Sequence, residues 1–66
     1  MHIFLNGQPR DLDPGTHVAG LLLQEGLAEQ RVAVELNGEI VPRGRHAAQA
    51  LQPGDRVEIV RALGGG

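Results

Sequence analysis

Leu63, Gly64, Gly65 and Gly66 close the sequence directly after a β-patterned run, so a folded body is expected to present a glycine tail ending in a carboxylate. Glycine has no Cβ, which lets an extended chain pass a channel too narrow for side chains and leaves its carboxylate open to activation. Three glycines extend about 10 Å at roughly 3.3 to 3.6 Å per residue, enough to carry Gly66 clear of the body. The expected division is a folded domain over 1–63 and a flexible tail over 64–66.

Nothing else in the chain looks equally chemical. His2, His17 and His46 fall on three different elements without the close spacing of a metal site, and are expected at the surface. Asp11, Asp13, Glu25, Glu29, Glu35, Glu39, Asp55 and Glu58 have no matched base, nucleophile or pocket, and read as solvated faces and turn residues. With no cysteine, thiol catalysis, cysteine metal sites and disulfides are excluded. No catalytic residue and no metal ligand is assigned.

Size and charge narrow the classes further. The 66 residues suffice for one domain, and a domain this small buries only roughly 60% of its unfolded surface, which makes a deep enzyme cleft improbable. One Phe and one Met leave the core to Leu, Val, Ile and Ala. The net charge is −2 and the six basic residues, all Arg, are scattered, so no stripe exists to neutralise nucleic acid. No apolar run approaches a membrane span, and Met1–Leu5 is too short for a signal h-region, so a cytoplasmic protein is expected. The absence of lysine has two readings: compositional bias, or a chain whose activated terminus meets no internal ε-amine.

The elements that must position the tail follow from periodicity. His2 to Asn6 alternates, Asn6–Gly7 signals a two-residue hairpin, and Arg10 to Leu12 returns. After the Asp13, Pro14, Gly15 break, Thr16 is expected to cap a helix of about ten residues that carries Val18, Leu21, Leu22 and Glu25 and stops at Gly26. Gly20 inside it costs about 1 kcal/mol relative to Ala, so close packing against the sheet is expected there. Arg31 to Leu36 alternates again, Asn37–Gly38 signals a second hairpin, and Glu39, Ile40 and Val41 follow. Pro42 ends that strand, Gly44 to Leu51 reads as loop or short helical turn, Pro53–Gly54 marks a turn, and Arg56 to Leu63 is the last strand.

This ββαββ order is that of an α+β β-grasp, a mixed sheet of four to five strands wrapped on one helix. Its first and last strands lie parallel at the centre. The tail therefore leaves from mid-sheet. Alternation assigns Ile3, Leu5, Leu12, Val32, Val34, Leu36, Val57 and Ile59 to the core with Val18, Leu21 and Leu22. Phe4, Ala33, Val60 and Ala62 face outward, either as a partner patch near the tail or as ordinary scattered apolar residues.

Total length, the segment from Val32 to Arg43 with its hydrophobic strand, Asn turn and Val41–Pro42–Arg43 run, the Pro53–Gly54–Asp55 turn and the terminal Gly65–Gly66 together resemble the ubiquitin-like sulfur carriers, above all the ThiS family of thiamine biosynthesis. One departure is Gly64, where family members commonly carry a side chain; a looser tail with the same chemistry is expected. The resemblance implies a carrier that is not itself an enzyme and binds no cofactor. A partner adenylating enzyme of the ThiF type, related to the ubiquitin-activating class, would use ATP and Mg²⁺ to adenylate Gly66, with Gly64 and Gly65 threading into it. Sulfur from a donor such as a cysteine desulfurase would then give a thiocarboxylate for a thiazole synthase of the ThiG type. Alternatives are the small subunit of molybdopterin synthase, a ubiquitin-like modifier of protein lysines, and a noncovalent binding module.

Overall fold

Two Asn–Gly pairs turn the chain twice. Asn6 and Gly7 take φ values of 50° and 83°, and Asn37 and Gly38 take 52° and 88°, the left-handed conformation that a two-residue hairpin matched to strand twist requires at both positions. In the computed structural model, which describes residues 1–61, the first turn joins β1 (His2–Leu5) to β2 (Gln8–Asp11) and the second joins β3 (Val32–Leu36) to β4 (Glu39–Val41). The last strand, β5 (Arg56–Arg61), inserts between them, giving the order β2-β1-β5-β3-β4. β5 is parallel to β1 and antiparallel to β3. The expected mixed sheet, with first and last strands adjacent and parallel, is present. The proposed boundary between residues 63 and 64 lies outside the described residues.

The single helix, α1 (Val18–Gln24), has seven residues where about ten were expected. Its ends explain the difference. Thr16 does not cap it: its hydroxyl donates to Asp13 O at 2.7 Å and closes the preceding turn. The N-cap is His17, without a side-chain bond. Instead, the Val18 and Ala19 amides donate to Gln49 O and His46 O, both at 2.9 Å, so the β4–β5 connection satisfies two of the donors a helix start leaves open. At the other end Gly26 N–H reaches Leu23 O and Leu27 N–H reaches Leu22 O, a Schellman closure on Gly26 at φ 74°. Gly20 is exposed, and a Cβ placed on it would meet only Thr16 Cγ2, at 3.5 Å. The expected packing of Gly20 against the sheet is therefore absent; the residue lies on the helix's outer side.

One face of the sheet meets α1. Ile3, Leu5, Leu12, Val34 and Val57 are buried with Val18, Leu21 and Leu22, and Val32, Leu36 and Ile59 pack at the margin. The alternation thus placed these side chains correctly. Leu51, from the β4–β5 connection, joins the same cluster, and Val41 is buried beside it.

That connection begins with a short 3₁₀ helix, Arg43–Arg45, and contradicts one expectation. His46 is not a surface residue: it is 8% exposed, and its Nε2 lies 3.1 Å from Val41 O. A buried polar ring needs such a partner, and the backbone oxygen of the edge strand supplies it. His2 and His17 are exposed as expected, and no metal-binding group of His, Cys, Asp or Glu exists among the described residues.

Candidate functional site

The site follows β5, the strand that leads toward the terminus. Its start is fixed by Asn37, whose Oδ1 accepts from Arg56 N–H at 2.8 Å while its Nδ2 donates to Asp55 Oδ1 at 3.0 Å. Asp55 Oδ2 in turn accepts from Gln52 N–H at 2.7 Å, and Asp55 N–H bonds Gln52 O at 3.1 Å, closing the Pro53–Gly54 turn. From there β5 runs against β3 as far as Arg61, which sits opposite Val32. Ala62, Gly64, Gly65 and Gly66, all assigned roles from sequence, lie outside the described residues.

The outer face of the sheet carries no second layer. Strand register fixes its rows: Pro9, Phe4 and Arg56 form one, Ile40, Glu35 and Glu58 the next, and Ala33 with Val60 the one nearest Arg61. Val60 is 59% exposed and Phe4 43%, and Ala33 is also exposed. The outward placement of these three residues follows the alternation.

They do not form one spot, however. Ala33 and Val60 are direct cross-strand partners, whereas Phe4 is opposite Arg56, four residues before Val60, or about 13 Å along the strand. Phe4 instead borders a shallow concavity of about 500 Å³ with Gly7, Gly38, Arg56, Val57 and Glu58. Only the Ala33–Val60 part lies beside Arg61, the last described residue.

Ile40 belongs to the same face and is 62% exposed, a member the sequence reading named as a strand residue without assigning it a face. Its signal was the neighbouring Val41, which the hairpin register turns inward. Between the apolar residues, Glu35 faces Glu58 directly. Neither forms an ion pair among the described residues, where Asp11 pairs with the N-terminus and His2, and Arg10 pairs with Glu25 at 3.3 Å. Among the described residues the face therefore combines exposed aliphatic groups with two facing carboxylates that form no ion pair, a surface suited to recognition and devoid of a nucleophile–base pair.

One helix on one face of a five-stranded mixed sheet, with the central strand leading out to the terminus, defines a ubiquitin-like β-grasp domain. The chain belongs to the ThiS family, whose model matches residues 3–66. The thiamine biosynthesis protein ThiS from Geobacter metallireducens is similar over the full length of both chains in its crystal structure, at 36% identity and a TM-score of 0.85. Its solution structure matches with a TM-score of 0.80, covering 100% of this chain and 88% of that one. Two thiazole synthases are also similar over all 66 residues, from Magnetococcus marinus at 46% identity and from Paramagnetospirillum magneticum at 41%. This chain spans only 20% of the length of each.

No helix among the described residues is long and apolar enough to cross a membrane.

Proposed function

We propose that this chain is a sulfur carrier of thiamine biosynthesis, with the Gly66 carboxylate as the sulfur-bearing group. The observation that carries the proposal is a family match running through residue 66 on a fold whose central strand, followed to Arg61, is the one that leads toward that terminus. The chemistry follows from the group itself. A carboxylate oxygen attacks the α-phosphate of ATP, forming a P–O bond and releasing pyrophosphate; the product is an acyl-adenylate. A sulfur nucleophile then adds to the acyl carbon, and the C–O bond to AMP breaks with its electron pair leaving on AMP; hydrosulfide gives the thiocarboxylate directly, whereas a persulfide gives an acyl disulfide whose S–S bond a second thiol must cleave, that thiol ending in a disulfide with the donor. The thiocarboxylate that results is a better nucleophile than the carboxylate and can give up its sulfur.

In this proposal ATP, Mg²⁺ and the catalytic side chains belong to a ThiF-type adenylating enzyme, with a cysteine desulfurase as sulfur source. The chain acts as co-substrate, and Gly64 and Gly65 pass into the partner's site while Ala33, Val60 and Ala62, with Phe4 further off, contact its surface. A thiazole synthase is proposed as the sulfur acceptor. The two relatives named thiazole synthase, in which a segment similar to this chain is one fifth of the whole, support that pairing.

The test uses the lack of cysteine. After incubation with the adenylating enzyme, ATP and a sulfur donor, a thiol alkylator should modify only a C-terminal fragment ending in Gly66, and removal of Gly64, Gly65 and Gly66 together should abolish both alkylation and thiazole formation. Thiazole formation by the truncated chain would overturn the proposal. Adenylation followed by adducts on partner lysines, without an alkylatable species, would show a protein modifier instead.

A further inference from the structure

β1 supports β5 for a short distance only. The two strands pair at Phe4↔Arg56 and Leu5↔Val57, and the Asn6 amide adds one bond to Val57 O at 2.9 Å. Beyond that point β1 turns away into its hairpin, while β5 continues to Arg61 with β3 on its other side. The next amide of β5 on the side of β1 is that of Ile59, and it donates to Asn6 Oδ1 at 2.8 Å. A side chain thus takes the place of a strand. Among the described residues, this bond across 53 positions of sequence is the last hydrogen bond to β5 from the side of β1.

We infer that Asn6 is a positioning residue for the reaction at the terminus: by holding Ile59 it steadies the stretch of β5 that leads through Arg61 toward Gly66. The inference rests on the carrier proposal above. A β-strand held along both edges has one path, whereas a strand end held along one edge twists and frays. A partner that must accept Gly66 while contacting the sheet face meets the productive direction only for the fraction of time that the strand end adopts it, and its apparent affinity falls with that fraction.

Asn37 provides the internal control. It is the equivalent residue of the second hairpin, has the same left-handed φ, and also bonds β5, through Oδ1 to the Arg56 amide at 2.8 Å. Arg56 is the first residue of the strand, however, and Arg61 the last. Both asparagines therefore support β5, and only Asn6 supports its outgoing end. Glycine at either position keeps the turn, since it accepts positive φ without strain, and removes only side-chain bonds, the one between Asn6 and Ile59 or the two that Asn37 makes with Arg56 and Asp55. Aspartate at position 6 keeps the acceptor oxygen and tolerates the same φ.

The experiment compares the full chain with Asn6→Gly, Asn6→Asp and Asn37→Gly as substrates in ATP–pyrophosphate exchange catalysed by the adenylating enzyme. Loss of one hydrogen bond limits the effect to a rise of about two- to tenfold in KM for Asn6→Gly, with kcat at saturating carrier unchanged. Asn6→Asp is expected to restore the KM, and Asn37→Gly to lower the melting temperature while leaving KM at the wild-type value. A second measurement needs no enzyme: amide exchange at Ile59, Val60 and Arg61 should quicken in Asn6→Gly and not in Asn37→Gly.

Equal KM changes in the two glycine variants, or none in Asn6→Gly, overturn the inference, as does unchanged exchange at Arg61 in Asn6→Gly. Failure of the wild-type chain to support any exchange of pyrophosphate counts against the carrier proposal instead, and the amide-exchange comparison still decides whether Asn6 holds the strand end.

Discussion

Replacing Gly20 by alanine should stabilise the domain. Gly20 is the third residue of a seven-residue helix, too short to persist without tertiary contacts, so the propensity of each position weighs heavily. Glycine in a helix interior costs about 0.5 to 1 kcal/mol relative to alanine, because it surrenders more backbone freedom on folding. The cost is recoverable only where a methyl group fits. Here a Cβ would have one neighbour within 4 Å, Thr16 Cγ2 at 3.5 Å, an ordinary van der Waals contact, and the residue is exposed. No strain offsets the gain. For a domain of this size about 1 kcal/mol moves the midpoint by roughly 4 to 8 °C, so Gly20→Ala should raise it by about 2 to 8 °C in thermal unfolding followed by far-ultraviolet circular dichroism. Urea unfolding with an unchanged slope would show that the gain lies in stability and not in the compactness of either state. An unchanged or lowered midpoint would refute the reasoning and mean that Gly20 is needed for a close approach absent from this structure. Adenylation rates equal to wild type would further place α1 outside the partner-binding surface.

Two further outcomes follow from the sheet and the β4–β5 connection. Val60→Asp changes an exposed residue opposite Ala33 and should alter stability by less than about 1 kcal/mol. The same substitution should lower kcat/KM for adenylation by at least about fivefold if the face docks the enzyme; an unchanged rate would remove Val60 from the interface. His46→Ala takes away the ring that bonds Val41 O and leaves an oxygen at the protein's interior edge without its partner. A loss of about 1 to 3 kcal/mol in urea unfolding is expected, and wild-type stability would show that water replaces the imidazole at no cost.

The order of elements and both hairpins were legible because each rests on local chemistry, and the parallel pairing of β1 with β5 followed from that order through the β-grasp topology. Two Asn–Gly pairs demand positive φ, and a period of two sorts side chains by face. What escaped depended on contacts distant in sequence. Thr16 has the chemistry of a helix cap, yet the amides it was expected to serve are taken by the backbone carbonyls of His46 and Gln49, and no local pattern announces a partner some 30 residues away. His46 itself lies in a stretch with no clear period, so its burial followed only from where that connection crosses the helix start. The outer patch was legible as a list of outward residues and not as a map. Alternation gives the face, whereas the separation of Phe4 from Val60 depends on the two-pair register between β1 and β5.

Under the proposed function, a division of labour between sheet and terminus would have a physical consequence for specificity. Gly64, Gly65 and Gly66 carry no side chains, so a partner that accepts them can contact only backbone, and backbone is the same in any glycine-ended chain. Discrimination among carriers must then come from the body, as a difference in affinity between this surface and another. The exposed Val60, Ala33 and Ile40, with Glu35 and Glu58 set between them, offer both of the required signs: aliphatic area that favours a matching surface, and two adjacent carboxylates that penalise one lacking a cation opposite. Because Val60 lies in the same central strand that leads to the terminus, docking on this face also confines Gly66 to the region within reach of Arg61. Binding of the body thereby raises the effective concentration of the carboxylate at the partner's site, with no contact to the glycines required for it.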